Sequence, residues 1–311
     1  MRCVWFVSEF VEGNFLGLPE GHGTPDVAIL SVPYELTSSY GQGSHEGPQA
    51  TITASAQVEL YDSLLPKDLP CGFNIRTVEA WNGEGGTLQE QLSGISEYLS
   101  PYLTSSFPVV LGGEHGMLPA IMSAVGEEIN LKDLTIVQID AHADLRDELE
   151  GDSFSHACAI RRSLDLGVGQ ILQIGIRAFA REEIEFANQD DRVESWLARD
   201  ILNPCGGEES WRKWLDTLSR ISGPVWLTLD MDGLDPVYVP TTGTPVPGGL
   251  AYWQVVETIE TIAAASDAKW IGADINEIVP DPNNHVTEFT AAILAAKIVS
   301  AHLARRLRDE Q

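Results

Sequence analysis

Six short apolar runs constrain the fold of this chain more than any other feature. They are residues 27–32 (VAILSV), 108–111 (PVVL), 134–139 (LTIVQI), 171–176 (ILQIGI), 225–229 (VWLTL) and 270–273 (WIGA). Each is largely apolar along its length instead of alternating with polar residues, the pattern of a strand buried on both faces. Stretches with helical apolar spacing separate them, at residues 47–65, 87–104, 210–221, 253–265 and 287–308. Pro48 falls near the first turn of the first stretch, where its missing N–H is tolerated. Strands alternating with helices imply a parallel sheet covered on both sides, a three-layer α/β/α architecture. With 311 residues and 43% hydrophobic content, the chain can build a full core without disulfides.

The polar residues that follow these runs carry the functional signal. PVVL leads into Gly112-Gly113-Glu114-His115, LTIVQI into Asp140-Ala141-His142-Ala143-Asp144, and VWLTL into Asp230-Met231-Asp232. WIGA leads into Asp274-Ile275-Asn276-Glu277. In open parallel sheets the ligand site lies outside the carboxyl ends of the strands. Four such ends put these groups around one crevice. If residues 140–144 stay extended, the side chains of Asp140, His142 and Asp144 share one face. Carboxylates crowded in this way repel one another unless cations neutralise them. Two divalent ions balance the charge. An oxygen-rich set with some imidazole suits Mn²⁺, and Fe, Co, Ni or Zn also fit.

Composition narrows the partners. A net charge of -27 argues against nucleic acid, whose phosphates such a surface repels. No stretch reads as a membrane span, and MRCVWFVSEF lacks the basic start and long apolar core of a secretory leader. Cys3, Cys71, Cys158 and Cys205 are widely spaced, as expected of free thiols in a reducing cytoplasm. Gly41-Gln42-Gly43-Ser44 reads as an ordinary turn between strand and helix, and His302 as a residue on a helix surface.

These motifs resemble the ureohydrolase family of arginases, agmatinases, formiminoglutamases and guanidinobutyrases. The resemblance rests on Gly112-Gly-Glu-His-Gly116, Asp140-Ala-His-Ala-Asp144, the run from Leu229 through Pro240 to Gly249, and Asp274-Ile-Asn-Glu277, in family order. It implies an arginase-like fold with an eight-stranded parallel sheet, forming a single domain over residues 1–311 with residues 1–26 as an N-terminal extension. It also implies a homo-oligomer, trimeric or hexameric.

The resemblance further implies that His115, Asp140, Asp144 and Asp230 hold one metal, and Asp140, His142, Asp230 and Asp232 the other. Glu277 matches the carboxylate that orients a guanidinium, and His156 the proton-shuttling histidine. The first motif usually reads GGDHS and here reads GGEHG, a change that touches no implied ligand. The implied reaction cleaves a guanidino group to urea and an amine. Asp147, Glu148, Glu150 and Asp152 follow the second motif, and an acidic edge there suits agmatine, which would yield putrescine for polyamine synthesis. Aminopropylagmatine, guanidinobutyrate, arginine and guanidine are the alternative substrates; Arg146 in the same loop could serve a carboxylate. Two other readings are a one-zinc deacetylase-like hydrolase and a non-catalytic polyamine-binding relative. The complete ligand set argues against both.

Overall fold

The computed structural model describes residues 11–83 and 86–311. Eight strands form one parallel sheet: β1 (Val27–Val32), β2 (Ile75–Thr77), β3 (Phe107–Gly112), β4 (Thr135–Ile139), β5 (Gln170–Ile176), β6 (Val193–Leu197), β7 (Gly223–Asp230) and β8 (Ala268–Asn276). Their order across the sheet is β2-β1-β3-β8-β7-β4-β5-β6. All six apolar runs are strands. The two strands that their apolar patterning did not reveal, β2 and β6, are the sheet edges, and apart from Ile75 their residues are only partly buried or exposed. Edge strands pack on fewer neighbours, so they need no continuous apolar run.

Alternation along each strand divides the core in two. In β1, Val27 and Ile29 belong to the core cluster that includes Ile52, Ile259 and Leu294, while Ala28, Leu30 and Val32 belong to the one that includes Leu92, Ile121 and Leu164. Both faces of the sheet are therefore covered, which is why β1 is buried throughout. Burying each such aliphatic side chain stabilises the fold by about 1.5–3 kcal/mol. One layer is built from α1 (Gly47–Ser55), α7 (Gly207–Ser219), α8 (Tyr252–Ala264) and α9 (Val286–Asp309); the other from α2 (Leu88–Leu103), α3 (Leu118–Glu128) and α4 (Ala159–Asp165). Two short helices, at Arg181–Ala187 and Ala198–Ile201, flank β6.

Local chemistry sets the helix ends. Thr87 and Glu90 form a reciprocal capping box that starts α2 where its spacing predicts. α1 stops at Ser55, ten residues short of the expected end at residue 65. The Ser55 hydroxyl donates to Ile52 O and accepts from Leu16 N, and tight turns follow at Gln57 and Val58. The helix end is thereby tied to the preceding segment, in which Phe15 and Leu16 are buried and the Asn14 side chain bonds Leu18 O and Thr77 N. Cys71, Cys158 and Cys205 are free thiols, and Cys3 lies outside the described residues.

α9 is long and apolar enough to cross a membrane by length and composition, yet 72% of its most apolar window is buried within the protein. His302 on this helix, expected at its surface, is half-buried. Its ring stacks on Phe107 with centroids 3.7 Å apart, and its Nδ1 is buried without a hydrogen-bond partner. Burial, then the charges of Arg306 and Arg305, push its pKa down to about 4. A proton on His302 therefore favours the unfolded chain. The stability contributed by the neutral ring is present above about pH 6.5, the ordinary histidine value, and is lost as pH falls through the lower one. His302→Phe keeps the stack and cannot titrate. Its thermal midpoint should vary less with pH across that window than the wild type's; equal slopes would exclude His302 as a source of acid lability.

Candidate metal centre

The four strands that carry the motifs, β3, β8, β7 and β4, are neighbours at the middle of the sheet. Their carboxyl ends bring His115, Glu277, Asp230, Asp232 and Asp140 to one place from positions far apart in the chain. His115 is 1% exposed. Its backbone N–H donates to Glu277 Oε1 at 2.9 Å. Its Nε2 lies 2.8 Å from Thr228 Oγ1, which donates its hydrogen to Asp274 Oδ2 at 2.6 Å. The hydroxyl has one hydrogen, so it accepts from His115, and Nε2 carries the imidazole proton. Asp274 also accepts from Trp226 Nε1 and Asn276 Nδ2.

In the neutral ring the other nitrogen therefore carries the lone pair. His115 Nδ1 is buried and makes no hydrogen bond, yet Asp144 Oδ2, Asp140 Oδ2 and Asp230 Oδ2 lie 2.9, 3.1 and 3.7 Å away. A lone pair facing three carboxylate oxygens is repulsive unless a cation stands between them. Backbone and amide donors orient the acids themselves. Asp140 Oδ1 accepts from His142 N at 2.6 Å and Oδ2 from Gln138 Nε2 at 2.8 Å. Asp230 Oδ1 accepts from Asp232 N, and Asp232 Oδ1 from Ala141 N.

The segment after β4 does not stay extended. Asp144 adopts a left-handed backbone, φ 53°, and this bend rather than strand alternation returns its carboxylate to Asp140. His142 is the more open imidazole, 30% exposed, with Nδ1 3.0 Å from Asp232 Oδ2. Two groups of donor atoms close to within 4.8 Å: His115, Asp140 and Asp144, and Asp140, His142 and Asp232. Asp140 belongs to both.

Electrostatics tests whether these residues suit metal. Burial and then the Asp140 charge raise Asp144 to about 7. Burial, then Asp232 and Asp140, raise Asp230 well above the carboxylate range. Asp140 is lowered, because His115 and His142 outweigh its burial. Against burial, the neighbouring aspartates raise His115 well above its ordinary value and His142 to about 11. The cluster thus draws protons onto imidazoles and acids alike to offset its own negative charge. Divalent cations satisfy the same demand while leaving every donor deprotonated, as ligation requires. The donor set therefore fits divalent metal.

Glu277 completes the site. Its backbone is left-handed, φ 63°, and burial, then Glu114, raise its pKa to about 8. A side chain at Gly243 would come within 2.9 Å of Glu277 Oε2, so this glycine leaves that oxygen its space. His156 lines the same recess, and burial, then His142, lower its pKa. Ser38, Ser39, Tyr40, Gly41, Gly243 and Thr244 close the recess, whose volume is about 20 Å³. Among the described residues no lysine or arginine lines it.

The loop acids expected at the pocket edge are not there. Asp147 pairs with Arg162 at 2.8 Å on the surface, Asp152 Oδ1 accepts from Phe154 N, and neither they nor Glu148 and Glu150 line the recess. Arg146 pairs with Glu182. Asp274 lies within β8 rather than beyond it, and its contacts turn it toward Trp226 and Thr228. Residues 38–41 form a wall of the site, and of the segment Gly41–Ser44 read as an ordinary turn only Gly41 reaches it: Gly41 N donates to Gly243 O at 3.0 Å. Thr37, Gln138 and Thr228 carried no sequence signal, because hydroxyls and amides in isolation are ordinary residues.

The profile of the Arginase family matches residues 25–303. The N(1)-aminopropylagmatine ureohydrolase of Synechocystis sp. is 33% identical over 281 residues, 88% of each chain. The agmatinase of Pyrococcus horikoshii is 32% identical over 88% of this chain and 91% of its own. Among solved structures, the agmatine ureohydrolase of Thermoplasma volcanium superposes with a TM-score of 0.80 at 27% identity, covering 97% of both chains.

The geometry yields a direct test of ligation. Asp232→Asn and His142→Asn should each bind fewer metal equivalents than the wild type by elemental analysis, with the secondary structure unchanged. Full metal content in both variants would remove these residues from the ligand set.

Proposed function

The chain belongs to the arginase family, and from that premise we propose that it hydrolyses a linear guanidine bearing a second cation and no carboxylate. Agmatine is the substrate that fits best, giving urea and putrescine. The observation that carries this reading is the lining of the recess: carboxylates, imidazoles and neutral residues, with no lysine or arginine among them. A substrate carboxylate would find no lysine or arginine partner among the described lining residues, whereas a distal ammonium needs none. Aminopropylagmatine, the substrate in the name of the Synechocystis relative, shares this chemistry and is the second reading.

Carried over by motif, His115, Asp140, Asp144 and Asp230 would hold one divalent ion and Asp140, His142, Asp230 and Asp232 the other, with Mn²⁺ the best match to the donors. Such a pair, when bound, supplies the Lewis acidity that makes water a nucleophile near neutral pH. The rest falls to the side chains. Glu277, through Oε2, accepts hydrogen bonds from the guanidinium and fixes the direction from which its carbon is approached. Water oxygen adds to that carbon while one water proton passes to His156 Nε2. The bond to the alkylated nitrogen breaks, the electron pair leaves with the amine, and His156 returns that proton to it. The remaining hydroxyl proton goes to the amine as the urea carbonyl forms. We assign the enzyme to the cytoplasm, on its free thiols, and to polyamine synthesis as a trimer or hexamer, on its family resemblance.

Urea release should be measured on agmatine, aminopropylagmatine, guanidinobutyrate, arginine and guanidine after Mn²⁺ loading. Agmatine or its aminopropyl derivative should give the highest kcat/KM, and arginine as the best substrate would overturn the assignment. Glu277→Gln removes a charge-assisted hydrogen bond and should lower kcat/KM by about 10- to 150-fold. His156→Asn should keep its metal and lose about 10²–10⁴-fold in kcat; metal loss in that variant would make His156 a ligand instead.

A further inference from the structure

We infer that Glu114 and Thr37 are positioning residues that hold His156 in a single tautomer, Nδ1 protonated and Nε2 available to the recess. The inference rests on the proposed role of His156 as proton donor. Glu114 is fully buried beside His115. Its carboxylate accepts Leu36 N at 2.8 Å, Thr37 N at 2.6 Å and the Thr37 hydroxyl. The single hydroxyl hydrogen of Thr37 is thus committed to Glu114.

Toward His156, Thr37 Oγ1 can therefore only accept. It accepts the His156 backbone N–H at 2.9 Å and lies 3.2 Å from Nδ1. Nδ1 must carry the hydrogen for that second contact to be attractive, which leaves Nε2 as the nitrogen that exchanges protons with the reacting groups. Ser155 Oγ stands at 3.4 Å from the same Nδ1, the longer of the two contacts.

Two departures from the GGDHS pattern meet at this point. A Cβ on Gly116 would stand 2.8 Å from Glu114 Oε1 and 3.2–3.3 Å from the N and Cα of His156. The missing side chain at 116 makes room for the longer acid at 114. An aspartate there would stop about 1.5 Å short, one C–C bond, and lose Thr37. Glu114 and Gly116 thus form one coupled change that builds the contact to His156.

The test compares Thr37→Val and Thr37→Ser with agmatine and with 2,2,2-trifluoroethylguanidine, whose weakly basic amine leaves with less help from a proton. Thr37→Val should lower kcat on agmatine about tenfold, part of the about 10²–10⁴ that a general acid supplies. KM and metal content should not change, and Thr37→Ser should restore the rate. On the trifluoroethyl substrate the deficit should shrink below about threefold, because less of the barrier depends on the acid. Equal deficits on both substrates, loss of metal, or no rescue by serine would overturn the inference. Gly116→Ser should slow the wild type and add nothing to Thr37→Val; additive losses would also overturn it. If Thr37→Val does not fold, Glu114→Asp serves in the same comparison. No urea from either guanidine with wild-type enzyme would defeat the proposed function; wild-type turnover with an unaffected Thr37→Val defeats only this inference.

Discussion

Buried negative charge organises this molecule. Asp140, Asp144, Asp230, Asp232, Glu277 and Glu114 converge at the carboxyl ends of four adjacent strands, all of them largely removed from water. Such a cluster is costly unless positive charge joins it. The imidazoles of His115 and His142 answer part of that demand, and bound cations answer it more fully. Most of the surrounding structure keeps this arrangement in place. The central strands are rigid and covered on both faces, and backbone N–H groups of Ala141, His142, Asp232 and His115 donate to the acids. The sheet therefore does more than hold the ligands near one another; it sets a backbone donor on Oδ1 of Asp140, Asp230 and Asp232.

The two histidines most central to the chemistry are oriented by the same device. A threonine hydroxyl donates its one hydrogen to a buried carboxylate and so becomes a pure acceptor for the imidazole. Thr228 and Asp274 act in this way on His115 Nε2. Thr37 and Glu114 act so on His156 Nδ1. The outcomes are opposite: His115 presents Nδ1 to the acids, whereas His156 keeps Nε2 for the recess. Hydroxyl–carboxylate pairs of this kind explain why buried Asp274 and Glu114 are present although neither belongs to the donor clusters.

Much of the fold was legible because strand burial leaves a local trace. The six apolar runs are strands, and the helices of α2, α7, α8 and α9 start and stop within a few residues of their spacing. The edge strands β2 and β6 escaped this reading, as did the early end of α1, since short or half-exposed elements take their form from neighbours. His115, Asp140, His142, Asp144, Asp230, Asp232 and Glu277 border one recess or its donor clusters, as their places after the strands suggested, and His156, expected from the resemblance alone, lines the same recess. The acidic loop was misleading. Its charge was plain in the sequence, but Asp147 turns to Arg162 on the surface, a partner fixed by α4. The argument for a cationic substrate survives on different ground, the absence of any lysine or arginine from the described lining of the recess.

By itself the sequence determined the strand set, the parallel α/β class, the motif residues and the family they resemble, because periodicity and short motifs are written along the chain. Only the tertiary structure decided which way each group faces. Hydrogen-bond direction at His115 depends on Thr228, 113 residues away, and at His156 on Thr37, 119 residues away. The room for Glu114 depends on a missing side chain at Gly116 lying against His156. Tautomer, acceptor and lone pair are properties of contacts between distant segments, and a linear pattern holds no record of them until the sheet has brought those segments together.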